Sequence, residues 1–210
     1  MAICVFCGSS PGIDKAHIEL AQDLGRAIAD QDHSLVYGGG GLGLMGATAR
    51  TARDNGARVT GIMPHFLNDI EKTITDIEHE FVDDMHARKI RMFDLADAFI
   101  VLPGGIGTLE EVIEVMSWQR LNLHDKPIVF LSDTGFWDGL IEVLGGIIEA
   151  GFARLRLCIM ILKLRKASAR HLILFTADYA RGALRNPWVE NRRHRPVSYT
   201  HLTLPTTPYV

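Results

Sequence analysis

The sequence predicts an α/β fold: a doubly wound parallel sheet with helices on both faces, in a single domain. Three observations predict it. Short apolar runs alternate with helix-period stretches as far as residue 153. The runs are apolar at successive positions, as strands buried on both faces must be. Glycine clusters follow three of them, where an open parallel sheet presents the carboxyl ends of its strands to a ligand.

The first run, Ile3–Phe6, follows Met1-Ala2 with no basic segment before it, so the chain opens on a strand and no secretory signal is expected. In the helical stretch 14–31, Ile18, Ala21, Leu24, Gly25, Ile28 and Ala29 share one face. A strand at Leu35–Tyr37 precedes a helix over 43–55, and a strand at Arg58–Ile62 follows. Glu80–Val82 is the fourth run and 86–95 the helix after it. Ala98–Leu102 leads to a helix over 108–121, and Ile128–Leu131 to one over 136–150. Parallel strands joined in this way need right-handed crossovers.

Composition narrows the class. Of 210 residues, 47% are hydrophobic and 22% charged, which excludes a disordered chain. Three cysteines (Cys4, Cys7, Cys158) are too few for a disulfide framework and suit a reducing compartment. The apolar stretch Leu155–Leu164 is interrupted by Arg156 and Lys163 and is too short to span a bilayer. A cytoplasmic protein with no membrane partner is expected. Charge is unevenly spread: residues 1–153 carry 11 Lys+Arg against 23 Asp+Glu, and residues 154–210 carry 11 against 2.

The chemistry gathers at three strand ends: Cys7-Gly8-Ser9-Ser10, the run Tyr37 to Gly46, and Leu102-Pro103-Gly104-Gly105-Ile106-Gly107-Thr108-Leu109-Glu110-Glu111. Glycines after a strand let a ligand approach the backbone, and the next helix aims free N–H groups and its positive end at it. A phosphate fits that chemistry. Gly41, Gly43 and Gly46 match G-x-G-x-x-G in form. The dinucleotide fingerprint, however, needs an acid at the end of the next strand, where Thr60-Gly61-Ile62-Met63-Pro64 has none. A mononucleotide site is the better expectation. Thr108 near the N-cap would put Glu110 and Glu111 in the first helical turn. A carboxylate beside a phosphate cradle needs a cation between the two anions, and Met85-His86-Ala87-Arg88-Lys89 supplies candidates in Arg88 and Lys89. The nine histidines show no ligand spacing, so no metal is expected, and no other cofactor.

Pro103 to Glu111 fits the P-G-G-x-G-T-x-x-E motif, and with it the chain resembles the LOG (Lonely Guy) family of cytokinin riboside 5′-monophosphate phosphoribohydrolases, long labelled lysine decarboxylases. Cys7–Ser10, Tyr37–Gly46, Met85–Lys89 and His124-Asp125-Lys126-Pro127 look like the same family, over roughly residues 2–153. The resemblance implies a Rossmann-like fold, a homodimer, and hydrolysis of an N6-modified adenosine 5′-monophosphate to free base and ribose 5-phosphate. It implies a catalytic pair at Arg88 and Glu111. It implies substrate contacts at Gly8, Ser9, Gly39, Gly40, Glu71, Met85, Lys89, Gly104, Gly105, Ile106, Gly107, Thr108 and Glu110. The helix stretch 112–123, with Val112, Ile113, Val115, Met116, Trp118 and Leu121, is richer in apolar positions than one buried face needs, as a dimer contact would be. A decarboxylase would need a lysine for pyridoxal phosphate, and Lys15, Lys72, Lys89 and Lys126 sit in no evident cofactor motif. The alternative is a nucleotide or molybdenum-cofactor carrier that binds without turnover.

After Ala153 the pattern departs from that family. The stretch 154–210 is basic and unpatterned, and it ends Val197-Ser198-Tyr199-Thr200-His201-Leu202-Thr203-Leu204-Pro205, which resembles adaptor sequence. The expected organisation is a catalytic domain over 1–153 and an aberrant, frameshift-like tail over 154–210, without a nucleic-acid partner unless that basic tail is genuine.

Overall fold

The computed structural model describes residues 1–131 and 134–153, together with the strand 159–162. Among the described residues seven strands form one parallel sheet: β1 (Ala2–Phe6), β2 (Ser34–Tyr37), β3 (Val59–Pro64), β4 (Glu78–Val82), β5 (Ala98–Val101), β6 (Ile128–Leu131) and β7 (Ile159–Leu162). Their spatial order is β4-β3-β2-β1-β5-β6-β7. The chain therefore winds outward from β1 to β4, crosses back to β5 beside β1, and winds outward again. The reversal lies between β1 and β5, where Val5 is opposite both Tyr37 and Ile100.

Six described helices connect the strands: α1 (Ala16–Asp30), α2 (Gly43–Asp54), α3 (Asn68–Glu71), α4 (Met85–Leu95), α5 (Ile106–Arg120) and α6 (Asp138–Glu149). A 3-10 turn, His65–Leu67, leads into α3. The successive apolar residues of β1 divide between the two faces: Ile3 and Val5, with Cys7 just beyond the strand, meet Leu20, Leu24 and Ile28 of α1 and Leu44 of α2. Cys4 and Phe6 meet Met92 of α4 and Val112, Val115 and Met116 of α5. Helices cover both faces, as the doubly wound pattern requires. Leu24 and Ile28 are fully buried, each contributing about 1.5–3 kcal/mol by transfer from water. Helices α1 and α2 press together at Gly25, where a Cβ would lie 2.5 Å from the Thr48 carbonyl oxygen.

Most expected elements recur within a residue or two, and the departures have local causes. Strand β4 begins at Glu78, and as an edge strand with no fully buried position its first residues lack an apolar signature. The four-residue α3 is too short to leave a period in sequence. Helix α5 starts at Ile106, two residues earlier than the Thr108 cap implies, because Gly105 in an extended conformation serves as its N-cap. Glu110 and Glu111 consequently stand in the second turn. Strand β7 falls within the basic stretch 154–210 and pairs with β6 through Ile128–Ile159 to Leu131–Leu162. The remainder of that stretch, including the adaptor-like end, lies outside the described residues. No described helix is long and apolar enough to cross a membrane.

Candidate active site

The loops after β2, β1 and β5 are neighbours on one rim because their strands are neighbours in the sheet. The β1 and β5 loops touch directly: the Gly8 N–H donates to the Pro103 carbonyl at 3.1 Å, and a Cβ on Gly8 would lie 3.3 Å from Gly104 Cα. Thr108 is buried beneath this contact, its Oγ1 2.2 Å from where a Gly104 Cβ would be. Gly105 and Gly107 differ: both are exposed, and a Cβ on either meets no atom within 4 Å. Neither has the left-handed backbone that favours glycine. The chain's own packing thus gives no reason for glycine at these two positions, on a helix start that no side chain caps.

The other glycine-rich helix start is already filled. The Gly8 carbonyl accepts from the N–H groups of Leu44 and Met45, at 3.0 and 3.3 Å, in the first turn of α2. Gly43, at φ +56°, would set a Cβ 2.4 Å from the Ser9 carbonyl carbon, and Gly46 would set one 2.1 Å from the Gly41 carbonyl oxygen. These glycines serve close packing of the chain on itself. The resemblance of Gly41, Gly43 and Gly46 to a dinucleotide loop is formal.

Arg88 and Glu111 come together. Asp84 caps α4 by accepting from the Ala87 N–H at 2.8 Å, which puts Arg88 on the inward face one turn on. Arg88 reaches beneath the end of β2, where Nη2 donates to the Gly38 carbonyl at 3.0 Å. Its Nη1 lies 3.8 Å from Glu111 Oε1 and 3.8 Å from Met85 Sδ. Arg88 and Glu111 are only 7% and 9% exposed, and Arg88 Nε is buried without a hydrogen-bond partner. Burial raises the Glu111 carboxyl to about 7. The Arg88 guanidinium opposes the rise, Glu110 adds to it, Lys89 opposes it, and Glu71 adds to it. Desolvation outweighs the single ion pair here, so near neutral pH Glu111 is divided between its acid and its base forms.

Lys89 and Glu110, adjoining that pair in sequence, pair with each other across the same two helices, Lys89 largely covered and Glu110 exposed. Glu114 is the second partner of Lys89, at 2.8 Å. Burial opposes the lysine charge, but the hydrogen bonds and charges of Glu110 and Glu114 hold its pKa above the ordinary value. Glu71 borders the site from α3: its carbonyl accepts from the Gly41 N–H at 3.0 Å, and its buried Oε2, without a hydrogen-bond partner, lies 2.3 Å from where a Gly40 Cβ would be. Gly39 and Gly40 are buried, Ser9 and Ile106 are exposed, and Met85 is exposed at its edge. Sequence reasoning missed Gly38, Asp84 and Glu114. Asp84 was legible as an acid directly before a helical period, whereas Gly38 and Glu114 carry no local signal.

Together the reversal point, the α5 start that no side chain caps and the buried Arg88–Glu111 pair define a Rossmann-like α/β protein with an open, glycine-lined rim. A family model described as "Possible lysine decarboxylase" matches residues 45–169. The cytokinin riboside 5'-monophosphate phosphoribohydrolase LOG3 of Arabidopsis thaliana is 44% identical over 151 residues, covering 71% of this chain and 70% of that protein. The probable enzyme of the same description LOGL2, from Oryza sativa subsp. japonica, is 39% identical over 175 residues, covering 82% of this chain and 66% of its own. Among solved structures, the molybdenum cofactor binding protein of Rippkaea orientalis superposes with a TM-score of 0.63 at 20% identity, covering 85% of this chain and 96% of its own, a likeness of fold. The chain belongs to the LOG family of phosphoribohydrolases.

The older description does not fit the lysines. Pyridoxal phosphate needs a lysine amine that is free to form a Schiff base and enclosed in a pocket that holds the cofactor. Among the described residues Lys89 is held by two carboxylates, Lys126 donates to the Phe93 carbonyl at 2.7 Å, and Lys15 and Lys72 are exposed. These residues do not fit that cofactor.

Two measurements check the site. The Glu111 carboxyl, followed by difference infrared or carbon NMR, titrates with a midpoint near 7, and Arg88→Ala moves the midpoint higher because the opposing cation is gone. A midpoint in the ordinary glutamate range contradicts the burial argument. Gly107→Ala leaves thermal stability unchanged or slightly raised, since nothing stands in its way, but weakens nucleotide binding about tenfold or more. Gly104→Ala lowers stability instead, by collision with Thr108.

Proposed function

We propose that the protein hydrolyses the N-glycosidic bond of an adenosine 5′-monophosphate, with an N6-modified base as the preferred form, releasing free purine and ribose 5-phosphate. The observation that carries this reading is the buried Arg88–Glu111 pair beside a helix start left open at Gly105 and Gly107. Membership of the LOG family and the names of the relatives support it.

In this reading the 5′-phosphate lies on the start of α5, held by the backbone N–H groups of Gly104 to Thr108 and the positive end of the helix. Gly8, Ser9, Gly39 and Gly40 bound the ribose and base from the adjoining strand ends, with Glu71 and Met85 at the border. Departure of the purine builds positive charge on the ribose. The ionised Glu111 stabilises that charge or takes a proton from the attacking water, and a pKa near operating pH suits a group that must do either. Arg88 keeps its proton under all working conditions, so its role is electrostatic, toward phosphate or the departing base. Lys89 and Glu110 act from the rim. The reaction requires neither metal nor other cofactor.

The catalytic unit we assign is 1–153. It is a cytoplasmic protein, consistent with two buried free cysteines at Cys4 and Cys7, and a homodimer. Within 112–123, Val112, Val115 and Met116 are buried in the core, while Ile113 is 36% and Leu121 56% exposed, with Leu123 beyond them at 67%. That apolar strip is the surface a second copy would cover.

Incubation with isopentenyladenosine monophosphate yields free base and ribose 5-phosphate with no inorganic phosphate. Release of phosphate from an intact nucleoside, or tight binding with no product, contradicts the assignment; the latter outcome would favour the carrier. Glu111→Gln lowers kcat about 10²–10⁴-fold while nucleotide still binds. Leu121→Glu combined with Leu123→Glu converts a dimer into a monomer by light scattering, and a monomeric parent protein overturns the dimer.

A further inference from the structure

Among the described glycines, Gly38 is the one whose nearest neighbours all belong to Arg88. A Cβ there would lie 1.7 Å from Arg88 Nη2, 2.9 Å from Cζ and 3.3 Å from Nε. Its φ is outside the left-handed region, unlike those of Gly39 at +85° and Gly43 at +56°, so its backbone does not demand glycine. Its carbonyl also accepts from Nη2 at 3.0 Å, and that bond turns Nη1 toward Glu111 Oε1.

We propose that Gly38 is the positioning residue for Arg88: its missing side chain and its carbonyl together set where the guanidinium lies relative to the Glu111 carboxylate. A methyl group at 38 forces the Nη2 contact open by roughly 2 Å to reach van der Waals distance. The atom that must yield is the far end of a long side chain, so the fold survives and the guanidinium moves. It is planar and rigid, so displacing Nη2 displaces Nη1 as well. Gly38 touches no substrate in this account and acts only through Arg88. The catalytic part of the inference rests on the proposed role of Arg88.

The test is a double-mutant cycle on the full chain with Gly38→Ala, Arg88→Ala and the pair, read by thermal unfolding and by turnover of isopentenyladenosine monophosphate. Gly38→Ala lowers kcat about 10²-fold, the scale of an ångström-level misplacement, with a smaller change in KM. It also lowers the melting temperature. In the Arg88→Ala background the same substitution changes neither residual kcat nor melting temperature, because the group it displaces is absent. As a conservative rescue, Arg88→Lys costs less turnover in Gly38→Ala than in the parent, since a compact ammonium leaves room for the methyl group. Equal penalties with and without Arg88, or wild-type turnover in Gly38→Ala, overturn the proposal. If the parent protein itself turns over no nucleotide, the function reading has failed, and the melting-temperature cycle alone still decides whether Gly38 is there for Arg88.

Discussion

The Glu111 carboxyl is buried so deeply that water can no longer hold its charge, and the Arg88 guanidinium is the nearest group that can. Even with that cation 3.8 Å away the carboxyl is raised from 4.5 to about 7, an energetic cost of about 3 kcal/mol for ionisation. The balance leaves a base that is available at neutral pH and an arginine that is not neutralised by a tight pair. Much of the surrounding architecture serves this balance. Asp84 starts α4 so that Arg88 faces inward, Gly38 leaves room for it, and α5 carries Glu111 into the interior opposite it.

Strand order makes the arrangement possible. The chain runs out to β4 on one side and must cross back to β5, and α4 is the helix that crosses. A residue on its inward face therefore passes beneath the ends of β2 and β1, which is how Arg88 comes to hydrogen-bond Gly38 while facing Glu111 from the far side of the reversal. The next helix, α5, begins at that same reversal, with its open start on the rim and its second turn against Arg88.

The glycines of the rim fall into three physical groups. Gly43, Gly46 and Gly104 permit contacts of the chain with itself, and any side chain there meets backbone or Thr108. Gly38 makes room for one functional side chain. Gly105 and Gly107 meet nothing in the protein, so their side of the rim is open space. A run of glycines in sequence merges these groups. The formal dinucleotide match at Gly41, Gly43 and Gly46 illustrates the cost, since the N–H groups of Leu44 and Met45 within it are spent on the Gly8 carbonyl and that of Gly41 on the Glu71 carbonyl.

The order of strands and helices, the two-faced burial of β1 and the gathering of glycines at three strand ends were determined by the sequence, because apolar period and turn chemistry are local properties. The motif from Pro103 to Glu111 and the pair Arg88 and Glu111 were legible through resemblance to a family. Tertiary structure alone decided which glycine meets Arg88, that Glu114 shares Lys89 with Glu110, and that α5 begins at Ile106 rather than at Thr108. It also decided that Glu111 titrates near 7. A pKa depends on what excludes water and on which charges lie within a few ångströms, and those neighbours come from α3, α4 and α5, brought together only when the chain crosses back over its own sheet.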